Sequence, residues 1–95
     1  MPAVARLGDA DTGHSCFPPR GNSSASSNVF VNGRGAHRQG DSYPAHSCPD
    51  CPPHPGALAG GSGTVFVNGK PLGRVGDAVS CGGSVASGSS NVFAG

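Results

Sequence analysis

The chain has 95 residues and a formal net charge of +1, with 17 Gly and 9 Pro but only nine Val, four Phe, three Leu and no Ile. That length bounds it to one domain, expected over residues 1–95, and the near-neutral charge with few aromatics excludes a basic stripe or stacking platform for nucleic acid. No apolar run follows Met1, so neither a signal peptide nor a membrane span is expected.

In chain order, the first signal is Arg6-Leu7-Gly8-Asp9, in which Gly-Asp marks a turn whose Asp can accept backbone N–H bonds. His14 and Cys16 follow within His-Ser-Cys. Asn28-Val29-Phe30-Val31-Asn32-Gly33 then predicts a short strand closed by an Asn-Gly hairpin turn. The returning arm reaches Arg38-Gln39-Gly40-Asp41, and a second His-Ser-Cys places His46 and Cys48. Cys51-Pro52-Pro53-His54-Pro55 predicts a loop held extended by proline, with His54 aimed at little entropic cost. Thr64-Val65-Phe66-Val67-Asn68-Gly69 repeats the strand and turn, Arg74-Val75-Gly76-Asp77 repeats the second element, and Cys81 follows. Asn91-Val92-Phe93-Ala94-Gly95 is a shortened third strand.

The spacing ties these pieces together. Eight residues separate Phe30 from Arg38 and Phe66 from Arg74, and the same eight run from Phe93 through Gly95 and Met1 to Arg6. A mainly β fold with a pseudo-three-fold internal repeat follows, its third copy split between termini that lie side by side. Strand alternation puts Phe30, Phe66 and Phe93 on one face and their flanking Val on the other, so that one face fills a small shared core and the other meets a partner. A solenoid needs a fixed rise, whereas Gly8 to Gly40 is 32 residues and Gly40 to Gly76 is 36.

Ordering costs on the order of 1.5 kcal/mol per residue, which so thin a core cannot offset without a staple. In a reducing cytoplasm, four His with four Cys read as metal ligands before disulfides. His14 and His46 stand five residues after Asp9 and Asp41, and Cys81 four after Asp77, so the repeat carries all three to corresponding positions. His54 completes a tetrahedral, closed and therefore structural zinc set of three His and one Cys. The alternative is local: Cys48 and Cys51 form a C-x2-C pair between His46 and His54. Cys16 and Cys48 are candidates for a disulfide in an oxidising space or for free thiols, and His37 is expected at the surface. No H-E-x-x-H pair is present, and Asp9, Asp41 and Asp77 already serve turns, so no enzyme is expected.

Together these residues resemble the PAAR-repeat family, whose Pro-Ala-Ala-Arg motif corresponds to Pro2-Ala3-Val4-Ala5-Arg6 with one inserted residue. The internal copies drift to Gly35-Ala36-His37-Arg38 and Pro71-Leu72-Gly73-Arg74. The resemblance implies a small cone that caps a trimeric β-helical, VgrG-like spike of a type VI secretion system, or the spike of a contractile phage tail, one cap per trimer. It implies zinc near the point, carried over to His14, His46, His54 and Cys81. The remaining alternative is a stand-alone zinc module for protein interaction. The expected route is synthesis in the bacterial cytoplasm and export on the spike, or incorporation in a virion, with any effector cargo bound non-covalently because the split repeat occupies both termini.

Overall fold

The computed structural model describes residues 1–14, 17–48 and 51–95, and at 47–48 and 51–53 the backbone alone. The two Val-Phe-Val-Asn-Gly runs fold back as their composition dictates. β1 (Phe30–Val31) pairs antiparallel with β2 (Arg34–Gly35) across a turn in which Asn32 and Gly33 have φ of 55° and 75°. Consecutive left-handed residues are what a two-residue hairpin requires and what Asn-Gly adopts most readily. In the second copy β5 (Phe66–Val67) and β6 (Lys70–Pro71) repeat the pairing, with Asn68 and Gly69 at 55° and 77°. The shortened third copy pairs with the other end of the chain: Ala3 bridges Phe93, and the Ala94 N–H donates to the Pro2 carbonyl at 3.0 Å. The termini therefore do lie side by side.

Each Arg-x-Gly-Asp element is a self-clamped turn. The Asp9, Asp41 and Asp77 amides donate to the Arg6, Arg38 and Arg74 carbonyls at 2.9–3.0 Å. In return the Asp carboxylates accept the Arg amides at 2.7–2.8 Å and the Arg guanidinium groups. These carboxylate contacts raise the pKa of all three Arg residues, and at Asp41 the Arg38 bonds outweigh burial and depress the carboxyl.

The three elements are joined in a cycle of backbone bonds. The Ala5 N–H donates to Gly73 at 2.9 Å, Gly73 to His37 at 2.8 Å, and His37 to Ala5 at 3.1 Å. One turn further on, Leu7 donates to Gly35, Gln39 to Pro71 and Val75 to Ala3, at 2.8–2.9 Å. Such close approach needs small side chains: a Cβ on Gly73 would stand 2.6 Å from the Leu58 side chain and 2.9 Å from the His37 carbonyl oxygen.

Instead of one shared core, two small ones form. Val4, Ala36, Leu72, Val67 and Ala94 make the first, beside the hairpins, with Val31 and Val92 packed against it. Ala5, Tyr43, Leu58, Val79 and Val85 make the second, with Val75 and Cys81 against it. Successive residues of an extended chain face opposite ways, so Val4 and Ala5 fall in different clusters. Phe30, Phe66 and Phe93 take neither side and remain 60, 56 and 50% exposed.

β3 (Ser42–Cys48) and β4 (Cys51–Ala57) form the longest hairpin, with Ser42 opposite Ala57 and His46 opposite His54, and with register shifts between. The Pro52–Pro55 segment, expected to be an extended loop, is thus a strand arm. A two-stranded ribbon leaves one edge of each strand unpaired, which accommodates residues that lack an N–H. The described residues span 38 × 24 × 21 Å and contain no helix long and apolar enough to cross a membrane.

His37 departs from expectation: it is fully buried rather than at the surface. Its amide belongs to the backbone cycle, which draws the ring inward, where Nδ1 donates to the Ser24 carbonyl at 2.9 Å and the ring stands edge-on to Tyr43. Nε2 has no partner among the described residues, so a charged ring would bury an unsatisfied N–H. Burial lowers the His37 pKa, against the opposing pull of the Ser24 carbonyl, Asp41 and Asp9 and in concert with the charge of Arg38. The unfolded chain therefore takes up this proton first, and stability, full above about pH 6.5, falls as pH drops through that value. In urea melts the stability gap between the native protein and His37→Gln is expected to be widest at about pH 8 and to narrow towards about pH 5. Other titrating groups are common to both proteins, and a constant gap would contradict the assignment.

Candidate metal centre

The segments that leave the Asp turns converge. His14 follows the strand-like stretch at Ala10–Asp11, which bridges Gly21 and Val85; His46 and His54 face each other across the β3–β4 hairpin; and Cys81 lies in the turn after Val79, which bridges Leu58. One ligand atom from each of His14, His46, His54 and Cys81 falls within 4.8 Å of every other, a group able to hold a metal ion. These are the four residues that the repeat and its Pro-Pro-His insertion single out.

The atoms that converge are the right ones. His14 Nε2 lies 3.0 Å from His54 Nε2, which lies 2.8 Å from His46 Nε2. His46 Nδ1 donates its proton to the Pro18 carbonyl at 2.9 Å, so in the neutral ring Nε2 carries the bare lone pair that a metal requires. His54 Nε2 lies between two ring nitrogens and can be paired with only one of them through a single proton. A cation between the three nitrogens would resolve that conflict, and the nearby Cys81 sulfur makes the candidate donor set one of borderline softness. Desolvation, then the neighbouring His46 and His14 rings and Arg20, lower the His54 pKa and favour its unprotonated form.

Two side chains around the group were not legible in the repeat. Phe17 lies over all three imidazoles, with ring centroids 4.9, 4.8 and 4.2 Å from those of His14, His46 and His54. Its backbone is fixed by reciprocal bonds with His14, at 2.8 and 3.1 Å. Buried Arg20 donates from Nη2 to Cys81 Sγ at 2.8 Å and from Nε to Asp11 Oδ2 at 3.2 Å. Neither occupies a repeated position, and only the Pro18-Pro19 pair between them hints at a fixed backbone. Glycine makes the room: a Cβ on Gly56 would stand 2.6 Å from Arg20 Nη2 and 2.8 Å from Cys81 Sγ, and one on Gly82 3.1 Å from the His14 ring.

Cys81 forms no disulfide among the described residues. The alternative local set and the Cys16–Cys48 pairing involve Cys16 and the side chains of Cys48 and Cys51, which lie outside the described residues. His46 and His54 belong to both ligand sets, but the group that forms also takes in His14 and Cys81 from distant parts of the chain. No carboxylate joins it among the described residues. Asp9, Asp41 and Asp77 are each bonded to the Arg of their own turn.

No curated protein matches the chain. The family model described as PAAR motif matches residues 22–87, a span that includes His46, His54 and Cys81 and leaves His14 outside. With the self-clamped Arg-x-Gly-Asp turns, the Asn-Gly hairpins and the convergent His and Cys side chains, that match shows that the chain belongs to the PAAR-motif family.

Proposed function

We propose that this protein is a non-enzymatic cap for the end of a trimeric β-helical spike, of the VgrG-like kind in a type VI secretion system, with one structural zinc ion stiffening its point. The observation that carries the reading is the closed cycle of backbone bonds through Ala5, His37 and Gly73, with one exposed Phe on each of the two Asn-Gly hairpins and a third, Phe93, on the shortened copy that pairs with the N-terminal stretch. A single chain closed on itself in that way can present three similar contacts to three subunits. Phe30, Phe66 and Phe93 are large exposed apolar side chains of the kind that anchor interfaces. Strand edges on short hairpins can add hydrogen bonds to a neighbouring β-structure.

Zinc would be held by His14, His46, His54 and Cys81, a set of three imidazoles and one sulfur that suits tetrahedral Zn2+. Four protein donors close the coordination sphere, which is the pattern of a structural ion, whereas hydrolytic zinc keeps a position open. When bound, the ion would supply stiffness and folding free energy. The chain's own residues fix the ligands: Pro18 sets the His46 tautomer, and Phe17 covers the three rings. A contractile phage tail presents a similar trimeric end, and the same contacts would serve there.

Metal analysis of the purified protein is expected to give one zinc per chain. His54→Ala should lose it and Cys48→Ala keep it, with chelation of the native protein lowering its Tm steeply, since structural zinc contributes about 10 kcal/mol or more to folding. Zinc loss confined to Cys48→Ala would shift the assignment to the local Cys set.

Mixing with a trimeric spike protein should yield one cap per trimer by light scattering. Phe66→Ala, at an exposed position, should leave the Tm unchanged and weaken binding about tenfold or more. Binding that is indifferent to all three Phe would place the interface elsewhere.

A further inference from the structure

Arg20 is buried and reaches every segment that supplies a candidate ligand. Its backbone N–H donates to Asp11 Oδ1 at 3.0 Å and its Nε to Asp11 Oδ2 at 3.2 Å. Asp11 also accepts the Gly13 amide at 3.1 Å, immediately before His14. Arg20 Nη1 donates to the Pro44 carbonyl, two residues before His46, and to the carbonyl of His54 itself at 3.2 Å. Nη2 donates to Cys81 Sγ at 2.8 Å. The guanidinium plane lies over the Tyr43 ring, 5.3 Å from its centroid. A planar fork of five fixed donors can hold four chain segments at once, whereas a lysine ammonium cannot reproduce that geometry.

From this geometry we infer that Arg20 is the positioning residue of the metal centre: it sets the spacing of the four ligand segments and supplies positive charge to the Cys81 sulfur. The inference rests on the metal-site reading above. It assigns Arg20 a role that no repeat position carries, and Asp11 the task of aiming it. A charge-assisted bond to a coordinated thiolate stabilises the sulfur lone pairs, so charge transfer from sulfur to metal needs more energy while the bond is present.

The test uses the full chain loaded with Co2+ for spectroscopy, and with Zn2+ in competition with a chelator for affinity. The native protein is expected to show tetrahedral Co2+ bands and a thiolate-to-metal charge-transfer band. Arg20→Gln should bind Zn2+ about 10- to 100-fold more weakly, the usual effect of removing a partner behind the ligands, and its charge-transfer band should move to lower energy. Arg20→Lys keeps the charge but not the fork, so its band should move less while its affinity stays reduced. A merely structural arginine would lower stability without moving the band.

A native chain that takes up no Co2+ overturns the metal site and this inference together. Native binding with Arg20→Gln equally tight and its band unmoved overturns the inference alone. Should Arg20→Gln fail to fold, Arg20→Lys decides: native affinity in that variant overturns the inference, and weakened affinity with the tetrahedral bands retained supports it.

Discussion

The rest of the structure depends on the cycle of backbone hydrogen bonds through Ala5, His37 and Gly73. It draws three stretches of chain, 32 and 36 residues apart, within hydrogen-bonding distance of one another. Closing loops of that size costs entropy that grows only slowly with length, but the approach itself tolerates almost no bulk. Ala5 is fully buried and Gly73 has no room for a methyl group. The two Asn-Gly hairpins contribute to the first apolar cluster, and the segments that carry the candidate ligands contribute to the second.

Neither cluster is large, and charged and polar side chains are buried beside them. Asp9, Asp11, Asp41 and Arg20 are buried, and each has its charge matched. Removing one partner of a buried pair such as Arg20 and Asp11 costs about 3–5 kcal/mol, because the other charge is left without compensation. The same kind of economy operates beside the hairpins. Ser26 donates to Asn68, Ser89 to Asn32, and Ser62 to the Gly95 carbonyl, each copy reaching the next. Small polar side chains thus link the three copies to one another.

That economy explains what could be read from the sequence. Turns are written in local chemistry, so Asn32-Gly33, Asn68-Gly69 and the three Arg-x-Gly-Asp elements were legible, as was the joining of the chain ends through the equal eight-residue spacings. The four residues that the structure brings together, His14, His46, His54 and Cys81, were singled out by the same repeat and by Pro-Pro-His. The inward turn of His37 was not legible, because it is set by its amide in the backbone cycle, a contact with residues 32 and 36 positions away. The split of the core into two clusters was hidden for the same reason: alternation fixes which residues part company but not what each side meets. Phe17 and Arg20 stand outside the repeat, and their roles come from tertiary contacts alone.

An arrangement of this kind separates two demands that a single small core could not meet together. A contact face for a partner must keep apolar side chains exposed, as Phe30, Phe66 and Phe93 are. A rigid point must hold its chain segments without the apolar volume that usually does so. Here the segments are held by directional contacts instead: a proton-fixed imidazole at His46, a covering ring at Phe17, and a guanidinium that bonds to Asp11, Pro44, His54 and Cys81. Directional bonds tolerate little displacement, whereas apolar packing resists it only by contact. A candidate site held by such bonds needs little apolar volume, and that is the property the tip of the proposed cap would need.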